Sequence, residues 1–305
     1  MKVAVTGGTG FLGKSLQRMV PKWTYLSSSD VNLSSLPELC DFLAEGKFDT
    51  VIHLAARVGG IKDNIDHPAE FFYENTIMNS NVVHACYKTG IKRLLSTLST
   101  CAFPNRAAFY PFAEEELLAG PPAKTNRSYG FTKRALYIQT LAYREQYGLN
   151  YSCISPSNLY GPGDNFDSEN SHFVPAMVKK FHEAKNGDTL TFWGNGRPLR
   201  QQLFVDDLCV AIPHLLVKHC SDVPLLVVPN ENLSIKEMVS ACRTIANKDL
   251  DIRFEGDSAL SGQYRKDGSN RKFKELLPFF KFTSFIDGLR QTYDWYAAES
   301  NNNGN

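Results

Sequence analysis

The sequence predicts an α/β chain in which a doubly wound parallel sheet is followed by a smaller C-terminal lobe. Three observations carry that expectation. Short apolar segments alternate with amphipathic ones as far as about Pro156, a glycine loop follows the first of them, and the order loosens after Gly161. Strands covered by helices on both faces read as continuous apolar runs separated by stretches of helical period. The predicted strands are residues 3–6, 23–27, 50–53, 93–98 and 151–154. Between them, residues 69–89 and 128–147 repeat apolar side chains at helical spacing. Both are long enough to offer one face to a core and another to a partner, so a homodimer through these two helices is expected. Gly, Pro, Asn and Asp crowd residues 161–170, and 194–198 reads as a turn. The expected division is therefore 1–160, with room for returning segments around 201–217, then a lobe over 161–298 and a flexible polar tail over 299–305.

Composition narrows the partners. Lys and Arg (33) balance Asp and Glu (32) in 305 residues, and a formal charge of +1 gives no electrostatic reason to expect nucleic acid or a membrane surface. Cys40, Cys86, Cys101, Cys153, Cys209, Cys220 and Cys242 are odd in number and lack a C-x-x-C pair, which suits a reduced, cytoplasmic chain. Val3-Ala4-Val5 runs directly into the glycine loop, so no secretion signal is expected. No apolar run approaches the ~20 residues of a membrane span, and no metal ligand set is assigned.

Thr6-Gly7-Gly8-Thr9-Gly10-Phe11-Leu12-Gly13 follows a predicted strand and opens a predicted helix, the context a Rossmann dinucleotide fingerprint requires. Gly7 would make the tight turn, Gly10 would let the backbone approach a pyrophosphate, and Gly13 would let the helix pack closely, with the helix N-terminus donating N–H groups to the anion. An NAD-selective site usually ends its second strand in an acidic residue. Here that strand ends in Leu26-Ser27-Ser28-Ser29, which favours NADP(H), whereas Asp30 could face the ribose and leaves NAD open.

Tyr129 and Lys133 are four residues apart and share a helix face, where an ammonium would favour phenolate and lower the tyrosine's pKa. A lone Tyr-x-x-x-Lys is more often an ordinary surface pair. Ser99, however, ends a predicted strand, where open parallel sheets bind ligands, and could donate to a carbonyl oxygen. The set Ser99, Tyr129 and Lys133 resembles that of the short-chain dehydrogenase/reductase superfamily. The resemblance implies that Tyr129 protonates a carbonyl oxygen as hydride arrives, that Lys133 tunes it and binds nicotinamide ribose, and that Ser99 polarises the carbonyl. Asn75 could be structural or could brace the site.

The substrate comes only from a closer resemblance. His53-Leu54-Ala55-Ala56-Arg57-Val58-Gly59-Gly60, Leu98-Ser99-Thr100-Cys101-Ala102-Phe103-Pro104 and residues 156–166, Pro156-Ser157-Asn158-Leu159-Tyr160-Gly161-Pro162-Gly163-Asp164-Asn165-Phe166, are similar to stretches of the GDP-L-fucose synthase family. So are Ser171-His172, Trp193-Gly194-Asn195-Gly196 and Pro198-Leu199-Arg200-Gln201. The resemblance implies an epimerase-reductase acting on GDP-4-keto-6-deoxy-D-mannose. Cys101 and His172 match its base and acid, which otherwise read as strand-end packing and a polar residue at a helix start. It further implies that Leu54, Ala55, Ala56, Thr97, Leu98, Pro156, Asn158, Leu159 and His172 line the cofactor. Val58, Asn158, Lys180, Trp193 and Arg200 would meet the sugar nucleotide. Lys180 stands where some relatives carry arginine, and Ser261 where an acidic residue would touch the nucleotide. Other readings are a reductase with a single epimerisation, a UDP-sugar 4-epimerase, which would leave Cys101 and His172 without a task, and a non-catalytic dinucleotide sensor, which would need no proton donor.

Overall fold

The structure, a computed structural model, describes residues 1–167, 171–256 and 263–303. The chain begins β1 (Val3–Thr6), α1 (Phe11–Met19), β2 (Thr24–Leu26), α2 (Leu36–Gly46), β3 (Thr50–His53), α3 (Ile61–Asp66) and α4 (Pro68–Lys88). It continues with β4 (Arg93–Thr97), a 3-10 turn at Thr100–Ala102, α5 (Arg127–Tyr147), β5 (Asn150–Pro156) and β6 (Asn158–Tyr160). Next come α6 (Phe173–Glu183), β7 (Thr189–Trp193), β8 (Leu199–Arg200), β9 (Gln202–Phe204) and α7 (Val205–Lys218). The remaining elements are β10 (Leu225–Val227), β11 (Leu233–Ser234), α8 (Ile235–Ala246), β12 (Asp251–Glu255), α9 (Arg271–Leu276) and α10 (Phe285–Asn303).

Six strands form one sheet in the order β10-β5-β4-β3-β1-β2, parallel throughout. The period-2 alternation of side chains explains why these strands read as unbroken apolar runs, since neighbours enter opposite cores. Ala4, Val51 and Leu94 pack towards α2, α4 and α5, whereas Val5, Ile52 and Leu95 pack towards α1 and α7. A third core joins Val178 of α6, Met238 of α8 and Leu289 of α10 beside the pair β7 and β12.

The predicted strands recur with shifted ends. Strand β2 is shorter than expected, and β4 stops at Thr97 because Leu98, whose N–H still reaches the Ile154 carbonyl at 2.7 Å, is the last residue before the chain turns. The returning segment is longer than the sequence suggested. Helix α7 lies on α1's side of the sheet, and β10 adds a sixth strand beside β5. Three residues of strand show no periodicity, which is why β10 was not foreseen. Helix α10 runs to Asn303, into the segment expected to be a flexible tail. A nucleated helix propagates through polar residues at little cost, so polarity was a poor stop signal there.

Leu208 of α7 is fully buried against the sheet. Leu208→Ala should lower unfolding stability by ~2–5 kcal/mol through lost burial and the cavity left behind. Urea denaturation measures this, and a change under ~1 kcal/mol would mean that α7 does not pack as described.

Candidate functional site

The chain runs from β1 outward to β2, then returns to the other side of β1 as β3. That reversal opens a crevice at the carboxyl ends of β1 and β3, where ligands of such sheets bind. Below it, Thr6 Oγ1 meets His53 Nδ1 at 2.8 Å and accepts from the Ala55 N–H at 3.3 Å, drawing the loops after β1 and β3 together. Burial pushes the His53 imidazole down to about 3, so this bracket is neutral. Asn75, fully buried, accepts from the Arg57 N–H at 3.0 Å and donates to the Arg57 and Phe71 carbonyls. It therefore braces the loop after β3 and does not line the cleft.

The glycine loop fits a dinucleotide sterically. Gly7 has φ +74°, and a Cβ there would lie 2.8 Å from the Ala55 nitrogen. A Cβ on Gly13 would lie 2.2 Å from the Gly7 carbonyl oxygen. At Gly10 the nearest atom would be that same oxygen at 3.3 Å, so this face is open, and the first-turn N–H groups of α1 have no acceptor within the helix. Gly8 instead packs on Tyr25, and Thr9 is exposed. Beyond β2, Ser28, Ser29 and Asp30 form an exposed turn outside the main cleft. Asp30 accepts from the Ser27 N–H at 2.7 Å and the Ser27 hydroxyl at 2.5 Å, bonds that hold its carboxyl below the usual range.

A cleft of about 470 Å³ extends from the glycine loop to Arg200. Gly7, Gly10, Phe11, Leu12, Gly13, Leu54, Ala55, Ala56, Val58, Thr97, Leu98, Ser99, Cys101, Tyr129, Lys133, Pro156, Asn158, Leu159, His172 and Arg200 all line it. Lys133 donates to the Thr97 carbonyl at 2.8 Å and stands 5.6 Å from the Tyr129 ring centre. Burial pulls its ammonium down to about 8. The expected lowering of Tyr129 does not occur. Burial, and next the charge on Cys101, push its hydroxyl well above the ordinary value, because desolvation of a phenolate outweighs a cation that faces a carbonyl. Tyr129 is thus a protonated phenol, the form a proton donor needs.

Ser99 caps the Thr100–Ala102 turn, its Oγ accepting from the Cys101 N–H at 3.1 Å. Burial opposes ionisation of Cys101, but the Lys266 ammonium, 2.9 Å from Sγ, together with Ser99 and Asn126 outweighs it and holds the thiol below its ordinary value. His172 stands at the N-terminal boundary of α6, its side chain making no capping bond, and opens onto the cleft. Its imidazole is lowered by the protein around it and by Lys266. Burial pulls Arg200 down to about 10.

Two predicted sugar-nucleotide residues stand apart from this cleft. Lys180 donates to the Thr191 carbonyl at 2.7 Å, beside the Phe192 ring, and Trp193 at the end of β7 is 67% exposed. Ser261 lies outside the described residues.

Residues 3–224 match the NAD dependent epimerase/dehydratase family. A GDP-L-fucose synthase of Dictyostelium discoideum is 34% identical over 307 residues, covering 96% of this chain and 94% of that protein. The chain belongs to the GDP-L-fucose synthase family. A relative of that name from Escherichia coli (strain K12) is 32% identical and covers 97% of this chain and 96% of its own length. A GDP-L-fucose synthetase from Naegleria fowleri, solved with NADP bound, aligns with a TM-score of 0.87 at 31% identity, covering 98% of this chain and 94% of that one.

Sequence reasoning passed over several residues that share the cleft with this family's motifs. Asn126 and Lys266 surround Cys101, and nothing in their spacing marks them. Asp164 lies in the 156–166 stretch without a predicted role, yet burial pushes its carboxyl up to about 7, and among the described residues its Oδ2 has no hydrogen-bond partner. Gly13→Val would drive the side chain into the Gly7 carbonyl. It should weaken NADPH binding by at least ~tenfold, or ~1.4 kcal/mol, and fluorescence titration of the nucleotide would show unchanged affinity if this packing did not matter.

Proposed function

We propose that the cleft takes NADP(H) and GDP-4-keto-6-deoxy-D-mannose, inverts C3 and C5 of the sugar, and reduces the C4 ketone to yield GDP-L-fucose. The observation that carries this reading is that a cysteine paired with an ammonium opens onto the same cleft as Ser99, Tyr129, Lys133 and His172. A simple reductase or a UDP-sugar 4-epimerase would have no use for such a base.

NADPH supplies a hydride when bound. The open face of Gly10 and the first turn of α1 would hold its pyrophosphate, Ser28 and Ser29 on the turn beyond the cleft would receive the ribose phosphate, and Lys133 would hold the nicotinamide ribose. A ketone at C4 acidifies the hydrogens on both flanking carbons, so Cys101 removes a proton from one ring face while His172 returns one on the other. Ser99 and Tyr129 donate to the ketone oxygen as negative charge gathers there. Tyr129 then gives its proton to that oxygen. Arg200 faces the diphosphate, within a substrate lobe made mainly of residues 161–298, and the nucleotide end would have to extend past the cleft to reach Lys180 and Trp193.

The protein acts in the reduced cytoplasm, consistent with its free cysteines, and no described helix is long and apolar enough to cross a membrane. It forms a homodimer through α4 and α5, which expose Tyr73 (66%) and Ile138 (46%). Ile138→Glu should shift the mass measured by light scattering from dimer towards monomer, and a wild type already monomeric would remove this interface.

The test of function is loss of nicotinamide absorbance with NADPH and GDP-4-keto-6-deoxy-D-mannose, with the product identified by NMR. Tyr129→Phe should cut NADPH oxidation by ~10²–10⁴-fold, the usual contribution of a positioned proton donor, while solvent deuterium still enters the carbons beside the ketone, more slowly for want of one donor to the enolate oxygen. Cys101→Ser should lose most of that exchange. Complete loss of exchange in Tyr129→Phe with nucleotide binding intact would refute the division of labour.

A further inference from the structure

Lys266 reaches Cys101 from 165 positions away in the chain, on a segment held at both ends. Gln263 donates to the Pro104 and Asn105 carbonyls at 3.1 and 2.8 Å. Phe112 N–H donates to the Asp267 carbonyl at 2.9 Å, Ser269 N–H to the Phe112 carbonyl at 2.8 Å, and Gly268 N–H to Gln201 Oε1 at 2.9 Å. Between these anchors Lys266 is 9% exposed, and its Nζ lies 2.9 Å from Cys101 Sγ. The neighbouring carboxylate is already committed, because Asp267 pairs with Arg265 at 2.6 and 2.9 Å. Among the described residues no carboxylate lies within ion-pair distance of Lys266. A cation so enclosed is costly unless an anion faces it. The sulfur is the group in that position.

We propose that Lys266 is a positioning residue for epimerisation, holding Cys101 as a thiolate by direct ammonium–sulfur contact and leaving its positive charge beside the ketone after Cys101 takes the proton. The proposal rests on Cys101 being the epimerising base. An ordinary cysteine is mostly thiol at neutral pH and a poor base, so its resting form decides the rate of proton abstraction. In the step itself the Cys101 sulfur forms an S–H bond with the hydrogen on a carbon beside the ketone. The C–H electron pair moves into the carbonyl, and the negative charge settles on the ketone oxygen. Lys266 keeps its proton. Its charge, no longer matched by the sulfur, then attracts the enolate oxygen together with the Ser99 and Tyr129 donors. His172 takes up a proton from solvent and passes it to the opposite ring face, and Cys101 returns its own to solvent.

Other groups facing the sulfur act with or against this pair. Arg200 of β8 adds positive charge, Ser99 and Asn126 are neutral donors, and Tyr129 of α5 opposes any second negative charge. Among the described residues, Lys266 is the cation within hydrogen-bond distance of Sγ. Burial, and next the Lys266 charge, hold the His172 imidazole below its ordinary value.

The experiment is the pH dependence of Cys101 alkylation by iodoacetamide, read by mass spectrometry of its peptide, with exposed Cys220 as the internal reference. No sugar is needed, so failure here is distinguishable from failure of the proposed reaction. Wild type should alkylate with a midpoint below the ~8.5 of a free cysteine. Lys266→Met should raise the midpoint by at least ~1 pH unit and slow alkylation at neutral pH by about tenfold, while Lys266→Arg keeps the low midpoint. Nucleotide binding verifies that each variant is folded. A wild-type midpoint at or above the free-cysteine value overturns the proposal without any variant. An equal midpoint in wild type and Lys266→Met also overturns it. Should the midpoint behave as expected while the sugar product differs from GDP-L-fucose, the ion pair stands and the proposed reaction falls.

Discussion

Everything in the cleft depends on how closely the loop after β1 approaches the loop after β3. Thr6 ties His53 and the Ala55 N–H into one bracket, and Gly7 has no room for a Cβ against Ala55. That approach brings the first turn of α1 and the Leu54–Ala56 backbone to one wall of the crevice. A side chain at Gly7 or Gly13 would push the loops apart, so the nucleotide wall follows from the absence of side chains. The opposite lining then enters from the next strand over, because β4 lies beside β3 and brings Thr97, Leu98 and Ser99 to the same edge.

Burial sets the chemistry of this edge more than proximity does. Tyr129 and Lys133 share a helix face as their spacing requires, but their effect on each other is smaller than the cost of desolvating either charge. The tyrosine stays protonated and the lysine turns to a backbone carbonyl. Such an arrangement favours a resting acid over a resting phenolate, which suits an enzyme whose last step adds a proton to oxygen. In the proposed reaction the basic role falls to Cys101 instead, where a direct cation and neighbouring donors outweigh the same desolvation.

Much of this was legible in the sequence, and the exceptions share a physical cause. Strands β1 and β3 and helices α4 and α5 were readable because apolar period and local turns specify them within a few residues. The glycine loop was readable because its steric demand is local. Strand β10 was not, since three residues carry no period and its place is fixed only by pairing with β5. Neither was Lys266, whose meaning arises when Phe112 and Gly268 come together and aim the segment at Cys101. The direction of the Tyr129 shift was missed for a related reason, because spacing reveals a neighbour but not the solvent that both have lost.

Two ammonium groups buried in one cleft serve opposite ends because they face different acceptors. Lys133 meets the Thr97 carbonyl, a dipole that cannot neutralise it, and burial pulls it down to about 8. It can therefore bind a ribose hydroxyl and exchange a proton near neutrality. Lys266 meets a sulfur that can ionise, and that contact helps hold the thiol below its ordinary value although burial opposes it. The first lysine comes from the sheet-covering helix and the second from the C-terminal half of the chain. In the proposed reaction, reduction draws on residues of the first half, whereas the epimerising base relies on a cation from the second. The contact that would hold Cys101 as a thiolate therefore depends on residues 263–269 being bound to Pro104, Asn105 and Phe112.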